Sequence, residues 1–159
     1  MLRTVVLLLA LAFAAGVTFV NIYTSLVDAP NWGSNIPDSI SAARAYYSIK
    51  NPGDFFRIFS PANQVLALIS LVLCWNAGAR VRYICAAALI AAVAADALTF
   101  GYFYPRNEVM FMTDLATNVD NIKVAWGEWT AMNWVRTFIG AGEFVLLSVV
   151  LVTTLKKES

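Results

Sequence analysis

Long apolar runs separated by polar connections dominate this chain. Four runs, residues 5–27, 61–79, 83–104 and 130–155, each reach the roughly 20 apolar residues that a helix needs to cross a membrane. Together they take up more than half of the sequence, which leaves no room for a separate soluble domain. The pattern predicts an all-α integral membrane four-helix bundle, formed as a single domain over residues 1–159.

The first run also has the charged start and apolar core of a secretory signal peptide, and Ala12-Phe-Ala14 is a candidate small-residue cleavage site. Apolar residues nevertheless continue as far as Ile22, which is the length of a full span. The continuation favours a retained helix.

The first polar connection, residues 28–60, carries helix signals. Asp38 is a candidate helix cap, and Asn51-Pro52-Gly53 predicts the end of that short helix. Ser60 and Pro61 form a preferred cap and first-turn pair, so they predict the start of the second span. The aromatic side chains of this connection suit an interfacial anchor or, alternatively, a lid over a pocket: Tyr46, Tyr47, Phe55, Phe56 and Phe59.

The second connection, residues 105–129, also predicts helical structure. Residues 118–129 contain no helix breaker except Gly127, so we expect one long helix whose outer third projects from the membrane. Short interfacial helices are thus expected in both connections.

Composition and charge narrow the function. The chain is 60% hydrophobic and 13% charged, its net charge is +1, and no basic run suggests a nucleic-acid partner. It has no histidine, which removes the commonest metal ligand, and we predict no metal and no cofactor. Cys74 and Cys85 are interpreted as small packing residues.

Basic residues beside the spans predict the orientation, because cytoplasmic loops carry the excess of Lys and Arg. With four spans, five of them share one side: Arg3, Arg80, Arg82, Lys156 and Lys157. We therefore expect a multi-pass protein of the bacterial inner membrane with both termini in the cytoplasm.

The fourth run holds the strongest candidate site. Helical spacing places Asn133, Arg136, Gly140 and Glu143 on one face. At 1.5 Å per residue, Arg136 lies roughly 9 Å and Glu143 roughly 20 Å below the outer boundary. Ions at such depth need partners, and Asp96 of the third run is predicted to pair with Arg136.

All four runs place polar groups in their outer halves, whereas the inner halves are apolar. The asymmetry predicts an outward-facing pocket centred on Asn133 and Arg136 rather than a channel. The further candidate binding residues are Asn21, Asn63, Tyr102, Tyr104, Asn107, Trp129 and Trp134.

Structural interpretations of the same residues stay open. The polar groups can hold helices together through hydrogen bonds, and the tryptophans can form an aromatic belt. Gly140-Ala-Gly142 is interpreted as a close helix contact.

Four segments resemble the anthrone-oxygenase-like family of small four-helix membrane proteins: Asn21-Ile-Tyr23-Thr-Ser, Ser60-Pro61-Ala-Asn63, Phe103-Tyr104-Pro105-Arg-Asn107 and Trp129-x-x-x-Asn133-Trp134-x-Arg136. The resemblance implies oxidation of a tricyclic anthrone to an anthraquinone without a cofactor. Glu143 or Asp96 would then be the base, and Arg136 and Asn133 the oxyanion donors. Trp129, Trp134 and Tyr102 would form the walls of a flat slot.

Three functions remain open from the sequence. One is a cofactor-independent oxygenase that acts on a hydrophobic aromatic or quinone-like molecule. Another is a non-catalytic protein that binds a lipid or quinone, including an accessory subunit of a larger membrane complex. A small transporter is the third. The oligomeric state, whether a homo-oligomer or an assembly with partner membrane subunits, is left open.

Overall fold

The computed structural model describes residues 1–158, without the side chains of Lys157 and Glu158. The predicted position of the Lys157 charge therefore lies outside the described residues. All regular elements within residues 1–158 are helical: α1 (Leu2–Tyr23), α2 (Ala29–Gly33), α3 (Asp38–Tyr46), α4 (Pro52–Leu73), α5 (Ala79–Leu98), α6 (Tyr104–Met112) and α7 (Val119–Glu158). Two π-helical turns, Thr24–Asp28 and Thr99–Phe103, join α1 to α2 and α5 to α6.

Four helical stretches are long and apolar enough to cross a membrane: Leu2–Gly33, Pro52–Leu73, Ala79–Met112 and Val119–Lys156. The predicted all-α four-helix membrane bundle is thus confirmed. The chain is a multi-pass membrane protein by this measure. The observed helices run further at the outer end than the predicted spans do.

The predicted start of the second span is wrong. Helix α4 begins at Pro52, where Asn51 accepts a hydrogen bond from the Gly53 amide and Asp54 accepts one from the Asn51 amide. This reciprocal cap satisfies two free amides at once, so it starts the helix nine residues before Pro61. Pro61 lies inside the helix, an arrangement that membrane helices tolerate.

The predicted cap of the short outer helix is also wrong in detail. Helix α3 begins at Asp38, but that carboxylate accepts a hydrogen bond from the Asn35 side chain instead of capping the helix. Arg44 then ties α3 to the end of α6 by donating to the Met110 and Thr113 carbonyls. Carbonyls in the last turn of a helix are free to accept such bonds.

The prediction of one long final helix is confirmed. Helix α7 has 40 residues and is about 60 Å long, roughly twice the thickness of the hydrocarbon core. Its outer part packs on α2, where Trp126 donates a 2.7 Å hydrogen bond to the Ala29 carbonyl.

The four spans form a ring in which α1 and α5 each pack against both α4 and α7. Helices α4 and α7 therefore lie diagonally across the bundle. An outer core surrounds Trp32, Phe103 and Trp129, and an inner core surrounds Leu7, Cys85 and other small apolar residues. Both cysteines are buried in the inner core and unbridged. On α7, Asn133, Arg136 and Glu143 lie between Trp129 of the outer core and Val150 of the inner core.

Gly78 makes the tight turn between α4 and α5. Its φ of 114° is a backbone conformation that a side chain disfavours, and glycine adopts it without a steric penalty. The turn reverses the chain within residues 74–78 and sets α4 beside α5.

Candidate functional site

Five amide or charged side chains are buried in the interior of the bundle. Asn21 lies on α1, Asn63 on α4, and Asn133, Arg136 and Glu143 lie on α7. Each is at most 6% exposed. The helical spacing of the last three, which the sequence predicted to share a face, places them toward the bundle interior.

Arg136 and Asn133 form the centre of this cluster. The Arg136 guanidinium donates to the Asn133 side-chain oxygen and, at 3.2 Å, to the Thr99 hydroxyl. The Asn133 amide donates to the Asn21 carbonyl at 3.1 Å and to the Ser25 hydroxyl at 2.7 Å. Asn133 therefore orients Arg136 while it joins α7 to α1.

Both π-helical turns carry partners of this centre. Ser25 lies in the first turn, and Thr99 and Phe103 lie in the second. A π-helical turn rotates the side chains that follow it relative to a regular helix, and such turns are frequent at functional sites. The sequence contains no signal that located either turn.

Aromatic rings surround the guanidinium of Arg136. Its central carbon lies 4.0 Å from the centroid of Phe103, 5.2 Å from Phe56 and 6.0 Å from Trp129. Cations are attracted to ring faces at these distances. Trp129 is thus beside Arg136, as the predicted slot requires. Phe56, which the sequence offered as part of an anchor or lid, and Phe103 are further ring neighbours of the guanidinium.

The predicted contact between Asp96 and Arg136 is wrong. Asp96 accepts a hydrogen bond from the Gln64 side chain of α4, and both ion pairs among the described residues lie elsewhere. Asp96 still acts on Arg136 through its charge, so the two side chains are near neighbours without touching. Counting residues along the spans predicted that Asp96 and Arg136 lie at the same depth. That count did not consider the Gln64 amide of α4, which competes for the Asp96 carboxylate.

Glu143 has a different partner, Asn63. The Asn63 amide nitrogen lies 2.9 Å and 3.1 Å from the two Glu143 carboxylate oxygens. Because α4 and α7 are diagonal, these hydrogen bonds cross the middle of the bundle. Glu143 follows Arg136 by seven residues, which separates the two positions by about 10 Å along the helix.

Several buried polar atoms in this region have no hydrogen-bond partner among the described residues. Two are donors, Arg136 Nε and Trp129 Nε1. The acceptors without a partner include Asn21 Oδ1, Asn63 Oδ1 and Thr18 Oγ1. Buried polar atoms are seldom left unpaired, so the cluster retains capacity to bind a polar ligand.

The other predicted binding residues lie further out. Trp134 is half-buried and packs near the exposed Phe138 on the outside of α7. Tyr102 stacks under Arg106, whose guanidinium carbon is 3.5 Å from the ring centroid. Tyr104 is exposed beside Phe100, and Asn107 is half-buried on α6. These four side chains do not join the contacts around Arg136.

An open cavity of about 710 Å³ lies above this cluster, between the end of α1, the region of α2 and α3, and the start of α4. Trp32, Tyr46, Tyr47 and Phe55 line it, which agrees with the aromatic-lid interpretation of the first connection. Trp32 also packs edge-on against Trp129, with 5.2 Å between the centroids. One layer of rings therefore separates the cavity from the surroundings of Arg136.

Potential metal ligands are sparse. Over the residues that the structure describes, no three His, Cys, Asp or Glu side chains lie close enough together to hold a metal ion.

Comparison with models of known protein families, with curated proteins and with solved structures found no match. The resemblance to the anthrone-oxygenase-like family thus stays a prediction from its four sequence segments.

Proposed function

We propose that this protein binds a hydrophobic aromatic or quinone-like molecule at Arg136 and oxidises it as a cofactor-independent oxygenase of the anthrone-oxygenase type. The observation that carries the proposal is a buried guanidinium that lacks a carboxylate partner among the described residues and keeps an unpaired Nε. The ligand supplies the missing acceptor.

The chemistry of the cluster fits a flat molecule with a carbonyl or phenolate oxygen. Arg136 Nε and Trp129 Nε1 are donors without acceptors, and an oxygen that gains negative charge during a reaction is stabilised by such donors. Phe103, Phe56 and Trp129 offer ring surfaces for the aromatic body.

Asp96 is the preferred base. Its charge acts on Arg136, whereas Glu143 lies about two helical turns deeper along α7. In the reaction, Asp96 removes a proton from the methylene carbon opposite the carbonyl, and the carbanion forms a C–O bond with dioxygen. The resulting peroxide anion takes the proton back from Asp96, and the hydroperoxide then loses water, together with the second methylene hydrogen, and becomes the second carbonyl. Each turnover consumes one dioxygen molecule and releases one water molecule.

Substrate reaches Arg136 from the outer leaflet through the cavity. Phe55 lines that cavity and the next residue, Phe56, covers Arg136. The start of α4 therefore lies between the cavity and the guanidinium. The protein resides in the bacterial inner membrane with both termini in the cytoplasm, an orientation supported by the basic residues Arg3, Arg80, Arg82 and Lys156 at one end of the bundle.

One observation favours a second function, a non-catalytic protein that binds a lipid or quinone, alone or as an accessory subunit. Both intramembrane carboxylates accept hydrogen bonds from side-chain amides, Asp96 from Gln64 and Glu143 from Asn63. Amide contacts of this kind stabilise helix packing and require no substrate.

Two measurements test the proposal. Native mass spectrometry of protein purified in mild detergent is expected to detect a bound small molecule that Arg136→Ala loses and Arg80→Ala retains. Arg80 is an exposed arginine at the opposite end of the bundle, so it controls for loss of a positive charge. Oxygen consumption with anthrone is expected to fall in Arg136→Ala and in Asp96→Asn.

Equal effects of Arg136→Ala and Arg80→Ala on ligand binding would contradict a binding site at Arg136. Retention of a ligand at Arg136 with no oxygen consumption would instead support the second function. Copurification of membrane subunits without a small molecule would point to an accessory subunit.

A further inference from the structure

We propose that the outer cavity binds the ammonium headgroup of an amphiphile, whose hydrocarbon chain lies along an adjoining groove on α1. This binding site lies apart from the contacts of Arg136, in the cavity through which the substrate is proposed to enter, and its test reads lipid binding and not oxidation.

The charge of the cavity favours a cation. Asp28 carries the one formal charge among the described residues that line it, and its carboxylate is half-buried. The Tyr47 side chain lies beside Asp28. Burial, together with the nearby Asp28 carboxylate, raises the pKa of Tyr47 to about 12, so the phenol stays neutral and Asp28 is the one side chain of the lining that supplies a charge.

The polar groups of the lining also favour a cation. Thr24 and Asn31 donate to the backbone carbonyls of Val20 and Val27 at 2.9 Å and 2.8 Å. Ser34 donates to the Asn31 carbonyl, and Ser39 donates to the Trp32 carbonyl. Since the hydroxyl protons of Thr24, Ser34 and Ser39 are already used, these three oxygens offer lone pairs to a ligand, while the Asn31 amide uses one of its two protons. Lone-pair oxygens beside a carboxylate suit a positive group better than a phosphate or sulfate group.

Aromatic rings complete the recognition of an ammonium group. The rings that line the cavity are Tyr23, Trp32, Tyr46, Tyr47 and Phe55. Tyr47 lies between two of its neighbours, 6.3 Å from Trp32 and 5.1 Å from Tyr46 between centroids. Aromatic rings around a carboxylate are a recurring means of binding substituted ammonium ions.

An apolar groove of about 550 Å³ adjoins the cavity along α1 and the first π-helical turn. Val20, Tyr23 and Val27 line both the groove and the cavity, and the remaining groove residues are Phe19, Ile22 and Leu26. The groove therefore begins where the headgroup would sit and leads along a span. A hydrocarbon chain is its natural occupant, which favours a lipid over a free ammonium ion.

Competition between two lipids tests the proposal. Protein in dodecyl maltoside is mixed with equal amounts of phosphatidylethanolamine and phosphatidylglycerol of identical acyl chains, and native mass spectrometry counts the bound lipids. We expect the wild type to prefer phosphatidylethanolamine by about tenfold. Asp28→Asn should remove the preference, while Glu108→Gln, which neutralises an exposed outer acid away from the cavity, should retain it.

A second variant guards against a folding defect in Asp28→Asn. Tyr46 is 82% exposed, so Tyr46→Ala should fold normally and weaken the preference about two- to fivefold through loss of one ring contact. Arg136→Ala should leave the preference unchanged, which separates this site from the oxidation site. A preference that survives Asp28→Asn, or equal binding of the two lipids, would overturn the proposal. Tetramethylammonium that binds as tightly as the lipid would overturn the role of the groove.

Discussion

Glu143 is a buried carboxylate whose two oxygens both accept hydrogen bonds from the Asn63 amide. Asn63→Leu would leave the carboxylate without a donor, and we expect a loss of about 1–3 kcal/mol in stability. Glu143→Leu would leave the amide unpaired. The double variant removes both polar groups, so its loss should be smaller than the sum by about 0.5–3 kcal/mol. Reversible unfolding by dodecyl sulfate in mixed micelles measures each value.

A distant pair supplies the control for this cycle. Thr154 is buried near the other end of α7 and donates to the Val150 carbonyl of its own helix. Asn63→Leu and Thr154→Val should therefore be additive within about 0.5 kcal/mol. Additivity of the Asn63 and Glu143 changes as well would contradict the contact across the bundle.

The depth of each buried polar side chain along its helix was predictable from the sequence, whereas its hydrogen-bond partner was not. The spacing of Asn133, Arg136 and Glu143 fixes their shared face and their order along α7. Whether Asp96 contacts Arg136 depends instead on the rotation of α5 and on Gln64 of α4, whose side-chain amide donates a hydrogen bond to the Asp96 carboxylate. Such lateral competition between helices has no signature in the pattern of one run.

The contact between α1 and α7 depends on a glycine. A methyl group at Gly140 would come within 2.6 Å of the Thr18 hydroxyl oxygen, whereas one at Gly142 would meet no atom within 4 Å. We expect Gly140→Ala to destabilise the bundle by about 1–3 kcal/mol through overpacking. Gly142→Ala should be neutral, or stabilising by up to about 1 kcal/mol, because alanine is the better helix former. Equal tolerance at the two positions in the same unfolding assay would show that α1 and α7 are not in close contact there.

The cap of α4 controls the segment that carries Phe55 and Phe56. Asn51→Ala removes the acceptor for the Gly53 amide, and we expect a loss of about 0.5–2 kcal/mol that is confined to the first turns of the helix. Hydrogen exchange over residues 52–59 should accelerate, while Asn51→Asp, which keeps a capping oxygen, should exchange like the wild type. Unchanged exchange in Asn51→Ala would place the real start of the helix later, near Pro61.

The elements themselves were largely predictable, because four apolar runs and a long uninterrupted final helix determine them. The errors lie at the helix termini. Helix α3 ends at Tyr46 and not at Asn51-Pro52-Gly53, and α4 ends at Leu73 and not near residue 79. Ser60-Pro61 has the composition of a helix start, yet the reciprocal cap of Asn51 and Asp54 acts earlier in the chain, and a membrane helix can contain Pro61. The two π-helical turns were unpredictable, since their sequences are compatible with a regular helix.

Charge divides the whole molecule into two ends. One end of the bundle is formed by the starts of α1 and α5 and by the end of α7. Its described basic residues are Arg3, Arg80, Arg82 and Lys156. The opposite end, formed by the outer connections, carries seven acidic and five basic residues in the sequence. A basic end is retained in the cytoplasm during insertion, whereas a mixed end can be translocated. The cavity at the mixed end would then face the outer leaflet.

Cysteine labelling in intact cells tests this orientation. In a Cys74→Ala, Cys85→Ala background, Asn76→Cys lies in the exposed turn at the basic end, and Ser41→Cys lies on the exposed side of α3 at the mixed end. A membrane-impermeant maleimide should label Ser41→Cys in intact cells and label Asn76→Cys only after permeabilisation. Both positions are exposed in the fold, so access to the reagent depends on the membrane and not on burial. The reverse labelling pattern would place the cavity and the Arg136 cluster toward the cytoplasm, and a substrate would then have to arrive from the inner leaflet.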